Sequence, residues 1–153
     1  MRFMISYFYQ VRNFEPDMIP ISTARWDPDW FHNGMGQNYV FKDKRGIYNG
    51  IRYEYLVPNE ECCHLCLGKD KCLSNGIVLG QCDFLKKYKE QIDKINFSAF
   101  LNECEGLKQR IGIEDPCFVF MVYEAPNNPC SERDKIIEWF EENSKSSLPL
   151  FKK

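Results

Sequence analysis

The sequence predicts an α/β domain: one sheet covered by helices in a Rossmann-like sandwich, with a cysteine-rich metal-binding loop inserted. Residues 117–123 (CFVFMVY) are seven apolar residues in a row, the pattern of a central strand covered on both faces. Strand-like runs alternate with amphipathic helical patterns, as an α/β fold requires. The chain has 153 residues, enough for a single core that needs no staple on grounds of size. The domain is expected over residues 1–145, with a tail at 146–153.

Residues 3–11 (FMISYFYQV) are apolar and aromatic with little polar alternation and read as a first buried strand; residues 18–24 (MIPISTA) read as a second, in the same sheet. Residues 25–36 carry the Asp-Pro and Gly punctuation of a loop together with Trp26, Trp30 and Phe31. Residues 51–57 (IRYEYLV) read as a further extended piece, ended by Pro58. From Asp83, Phe84, Tyr88, Ile92 and Ile95 recur at helical spacing, opposite lysines and glutamates, with Asp83 as the cap. Ser98 is placed to cap a second helix striped by Leu101, Cys104, Leu107 and Ile111. Ser131 and Asp134 resemble a capping box opening a helix over 132–142, and the polar residues before Leu148 read as a frayed end.

The net charge is −2, and lysines and arginines are dispersed among acids. That argues against tight, sequence-independent nucleic-acid binding and leaves only a local basic pocket for such a partner. The first residues contain Arg12 and Glu15 where a signal peptide needs an aliphatic run, and no segment approaches the roughly 20 apolar residues of a membrane span. A soluble cytoplasmic protein with no membrane partner is expected.

Five of the eight cysteines, Cys62, Cys63, Cys66, Cys72 and Cys82, fall with His64 inside residues 60–82. A reducing compartment gives no reason to gather thiols for disulfides, whereas zinc or an iron–sulfur cluster needs several soft ligands. Cys63 and Cys66 have zinc-knuckle spacing and Cys72 and Cys82 supply a second pair, with Cys62 and His64 as competing ligands. Zinc is the expected occupant; an iron–sulfur cluster is the alternative, although the spacing matches neither ferredoxin pattern. A metal-free group of reduced thiols is the plain reading. Cys104 and Cys117 sit in apolar surroundings and read as core.

Ligands of open α/β sheets bind beyond the carboxyl ends of the strands. Glu124 lies at such an end, as a base or a ribose-hydroxyl acceptor, and Cys130, Ser131 and Arg133 near the following helix start are candidates to hold a phosphate or carboxylate. Ser22, Thr23 and Arg25 leave the second strand, and Trp26 and Trp30 are placed to stack on a planar base. The plainer alternatives are helix capping for Ser131, a solvated strand-end carboxylate for Glu124, and tryptophans that plug the sheet's end against the cysteine loop. Cys130 is a candidate nucleophile at a helix start, with no histidine close in sequence to activate it.

With ISYF opening a strand, Ile21-Ser22-Thr23-Ala24-Arg25 followed by Pro28 and Trp30, and FMVYEAPNNPC before a helix containing Trp139, the chain resembles the bacterial and phage family called Domain of Unknown Function 488. The stretch CDFLKKYKEQIDKINF is also similar to the cysteine-bearing helices of small phage members. The resemblance implies an α/β sandwich with a pocket formed by the arginine loop and the Glu124 loop, in a host's cytoplasm if the protein is phage-encoded. Many relatives carry Cys-His-Arg where this chain has Cys130-Ser131-Glu132-Arg133, so a mechanism that needs that histidine has no counterpart here.

The function expected is a nucleotide- or nucleic-acid-related anion pocket, in a hydrolase of a glycosidic or phosphate bond with Glu124 and Arg25 as catalytic residues, beside a structural metal site. The alternative is a non-catalytic binding module for a nucleotide signal or a host protein. A metal-stabilised interaction domain with a docking aromatic loop and a redox role for the thiols are further rivals.

Overall fold

The computed structural model describes residues 1–32 and 40–153 of the chain. Residues 33–36 of the expected aromatic loop, and the side chain of His32, lie outside that description.

A mixed α/β architecture is built on a small parallel sheet. The strands are β1 (Arg2–Tyr7), β2 (Met18–Ser22) and, much later, β5 (Cys117–Val122), in the order β1-β5-β2. β5 pairs in parallel with both neighbours, so Phe120 stands opposite Ile5 on one side and Ile21 on the other. All six β5 residues are buried because both faces are covered. Phe118, Phe120 and Val122 join one core with Ile5, Ile21, Tyr88, Phe100, Ile136 and Trp139, while Cys117, Val119 and Met121 join another with Phe8, Val11, Phe14, Phe31 and Ile47. This is the period-two alternation of a strand acting on two apolar layers at once.

The helices α4 (Asp83–Ile92), α5 (Phe97–Ile111) and α6 (Arg133–Ser144) supply the first layer. The second layer comes from a 3-10 helix (Phe8–Asn13), the short α1 (Asp29–His32), a two-stranded hairpin of β3 (Phe41–Lys42) and β4 (Tyr48–Asn49), and Phe151 packed against Phe14. The cysteine-rich stretch holds two short helices, α2 (Glu60–His64) and α3 (Lys69–Ser74).

Several local expectations are corrected. The first strand ends at Tyr7, because Phe8 and Val11 turn back as a 3-10 helix to cover the sheet's second face. Residues 51–57 contribute one parallel bridge, Arg52 to Ser22, before a 3-10 turn at Glu54–Leu56. The cap of α5 is Asn96, whose side chain accepts from the Ala99 N–H, in place of Ser98; α4 begins at Asp83 with Cys82 in the cap position. No Ser131–Asp134 capping box forms: the Ser131 hydroxyl accepts from the Arg133 N–H at 3.1 Å, and Glu132 occupies the cap position. The polar residues 145–147 are exposed, but the chain beyond them is docked. Leu148 is buried, the Ile5 N–H donates to Pro149 and the Phe151 N–H donates to Ile5, so the chain's end lies along the free edge of β1.

Among the described residues no helix is long and apolar enough to cross a membrane.

Candidate functional site

The two expected loops leave the carboxyl ends of the neighbouring strands β2 and β5, and charges from both, Arg25 and Glu132, act on Cys63. The β2 loop is built on a buried network. The Ser22 hydroxyl donates to Asp27, whose other carboxylate oxygen takes the Arg52 guanidinium at 2.9 Å, and Arg52 also donates to the Ala24 carbonyl at 2.8 Å and to Glu54 at 3.0 Å. The Arg52 and Asp27 side chains are 4% and 1% exposed. A guanidinium buried this deeply is tolerable because its donors are matched by fixed acceptors. The Thr23 hydroxyl is likewise committed to the Met121 carbonyl at 2.8 Å. Ser22 and Thr23 therefore hold the loop's shape.

That frame projects Arg25 and Trp26. Arg25 is exposed, donates to the Pro58 carbonyl at 3.4 Å, lies 5.9 Å from the Trp26 ring, and acts electrostatically on the Cys63 thiol. Trp26 is 77% exposed and Trp30 50%, so the tryptophans do not plug the sheet. Trp30 packs edge-on to Phe8 and Phe31, on the second face.

From the other side comes the β5–α6 loop. Glu124 follows β5 and its Oε2 is buried without a hydrogen-bond donor among the described residues. Glu132, eight residues on at the start of α6, is part-buried; burial pushes its carboxyl up to about 7, and repulsion from Glu124 adds to the rise. Glu132 also acts on Cys63, the thiol on which Arg25 acts, so Arg25, Cys63, Glu132 and Glu124 are linked electrostatically. Burial pushes the Cys63 thiol up more than Arg25 brings it down, which leaves it a neutral thiol near pH 7.

Arg133 has a different task. It is buried, and its guanidinium donates to the carbonyls of Ala125 and Pro126 at 3.3 and 3.0 Å, bracing the loop between the two glutamates. Ser131 is buried in the turn entering α6, and the Cys130 N–H is held by the Asn128 side chain at 2.9 Å. The candidate ligand-binding set thus divides into positioning residues (Ser22, Thr23, Ser131, Arg133) and side chains that face outward (Arg25, Trp26).

Glu132 and the Asp27–Arg52 pair were not among the expected residues. A second carboxyl eight positions after Glu124 is visible in the sequence, but its partial burial and its repulsion by the first depend on how the loop folds. A cavity of about 1020 Å³ lies elsewhere, between residues 51–55 and α5, with Ile21, Tyr53, Tyr55, Phe100 and Leu107 in its walls. We place the site at the carboxylates because they, and not that apolar groove, bring together a buried unpartnered oxygen and a carboxyl that titrates near neutrality.

The thiols separate by position. Cys62 is a core residue whose thiol donates to Gln91 at 3.3 Å, and the Cys63 thiol donates to the Pro58 carbonyl at 3.8 Å. Cys104 and Cys117 are buried in the two cores. As placed, no three His, Cys, Asp or Glu side chains among the described residues are gathered for metal coordination.

Comparison with protein-family models, curated proteins and solved structures finds no match to this chain.

Proposed function

We propose that the chain binds a nucleotide-like or other anionic small molecule at the carboxyl ends of β2 and β5 and hydrolyses a glycosidic or phosphate bond in it. The observation that carries this reading is the carboxyl pair: Glu132 titrates at about 7 beside Glu124, whose Oε2 has no donor among the described residues. Two carboxyls in environments that differ in this way divide into an acid and a base. Near neutral pH a substantial fraction of Glu132 is protonated and can protonate a leaving oxygen, while Glu124 accepts a proton from water or grips a ribose hydroxyl. Arg25 is the exposed cation for the anionic group, and Trp26 beside it offers a face to a planar base.

Ligands of open α/β sheets bind beyond the carboxyl ends of parallel strands, and the resemblance to Domain of Unknown Function 488 implies a pocket at the same place. Eight free cysteines fit a reducing compartment such as a cytoplasm, a host's if the gene is a phage's.

The test offers the purified chain pooled nucleosides and nucleotides and reads release of free base and inorganic phosphate. Turnover that is abolished in Glu124→Gln with ligand binding retained is the expected result; turnover that survives in Glu124→Gln removes that residue's role. One observation favours a non-catalytic binding module instead: Ser22, Thr23, Ser131 and Arg133 are all committed to internal hydrogen bonds, which leaves few groups free to act on a substrate. Tight binding of a ligand recovered chemically unchanged selects that reading.

A further inference from the structure

Removing Cys62, Cys63, Cys104 and Cys117 from the eight cysteines, on the placements above, leaves four. Cys66 is exposed between α2 and α3, Cys72 lies within α3, and Cys82 is at the cap position of α4. The fourth, Cys130, comes from the loop between β5 and α6, almost fifty residues away in sequence. The ionisable groups that act on the Cys72 thiol are Cys82, Cys66 and Cys130, and no cationic side chain is among them.

A separate backbone observation places the same two segments together. Gly80 has φ +89°, and a Cβ built on it would meet the Pro129 carbonyl oxygen at 3.0 Å and the Pro129 Cβ at 3.8 Å. The chain two residues before Cys82 therefore rests directly on the residue before Cys130. Only glycine combines that left-handed backbone with so close an approach. Its presence is explained if residues 76–82 and the β5–α6 loop are meant to stay in register.

We propose that Cys66, Cys72, Cys82 and Cys130 are the ligands of a four-thiolate zinc centre that ties the cysteine-rich segment to the β5–α6 loop. Four thiolates with no open position make a structural site rather than a catalytic one. The proposal replaces the contiguous set expected from the sequence, Cys63 with Cys66, Cys72 and Cys82, by one that spans two distant segments. Zinc–sulfur bonds of about 2.3 Å set the sulfurs of a tetrahedral site about 3.8 Å apart, and because no ligand group is gathered for a metal among the described residues, binding has to draw the side chains inward. The cation also offsets the mutual repulsion of the thiolates, which a metal-free cluster leaves uncompensated. The centre would fix the loop between Glu124 and Glu132 from its far side, as Arg133 braces it from within. It rests on the thiols alone and is independent of what the carboxyl pair does.

The experiment uses the full chain purified without chelator. Metal is counted by elemental analysis, and cobalt is titrated into the stripped protein to read the sulfur-to-cobalt charge-transfer band. About one zinc per chain is expected. Serine substitution at Cys66, Cys72, Cys82 or Cys130 should weaken binding by about 100-fold or more, beyond the range of outer-shell changes, whereas Cys63→Ser should retain the metal. Should the variants fail to fold, wild-type protein is alkylated before and after chelation; the thiols that pass from protected to labelled should be these four. A chain with neither zinc nor a cobalt–thiolate band overturns the proposal. So does metal lost in Cys63→Ser and kept in Cys130→Ser. A brown protein with acid-labile sulfide overturns the assignment to zinc in favour of an iron–sulfur cluster.

Discussion

Replacing Glu132 by glutamine should stabilise the protein, and by an amount that depends on pH. The carboxyl moves from an ordinary value of 4.5 to about 7 on folding, because partial burial and the Glu124 carboxylate both disfavour its charged form. At 1.36 kcal/mol per pKa unit this corresponds to about 3 kcal/mol, an upper value because Glu132 keeps some contact with solvent. The sign follows from linkage. Below pH 4.5 the carboxyl is protonated in both the folded and unfolded chain and costs nothing; as pH rises towards 7 the unfolded chain ionises first, folding takes up a proton, and stability falls. Above 7 the full cost is present. Glutamine keeps the shape and carries no charge, so urea unfolding of wild type and Glu132→Gln should give nearly equal free energies at pH 4.5 and diverge to about 3 kcal/mol at pH 8. A difference that stays constant between those pH values would refute the reasoning, because it would mean that Glu132 does not titrate anomalously. A wild type more stable than the variant at pH 8 would mean that the ionised carboxylate has a partner that offsets its burial.

The buried Asp27–Arg52 pair should behave as a unit: Arg52→Met alone should cost about 3–5 kcal/mol by leaving Asp27 uncompensated, and adding Asp27→Leu should recover most of that, both read by urea denaturation. Leu148→Ala should cost about 3 kcal/mol by the same measurement, since the side chain is buried; an effect within about 0.5 kcal/mol would mean that the tail does not pack in solution.

Much of the fold was legible because some segments carry only one solution to their burial problem. The unbroken apolar run of β5 requires cover on both faces, and Phe84, Tyr88 and Ile92 in α4 align only on a helix; all are buried. Phe8 and Val11 were misread because an aromatic, apolar run suits a buried strand and a turn folded onto a sheet equally well, and only the position of the second face decides. The tail misled for a similar reason: the residues after its polar stretch lie along β1, more than 140 residues away in the chain. Of the proposed site, the arginine loop and Glu124 have visible places in the sequence, at strand ends. The role of Glu132 has none, because an anomalous carboxyl is made by the groups around it and leaves no mark in local sequence.

The strand order has a bearing on how the chain comes to be folded. β1 and β2 do not pair with each other; apart from single bridges at Leu150 and Arg52, each finds its parallel partner in β5. During synthesis, both early strands therefore emerge with unpaired edges and wait for almost a hundred further residues before any hydrogen bond of the main sheet can form. Their apolar side chains have no ladder to join in that interval, which is the situation in which nascent chains associate wrongly or recruit chaperones. Interrupting the chain anywhere before residue 117 removes the main sheet as a whole, so fragments ending there should accumulate as aggregates rather than as a smaller version of the domain.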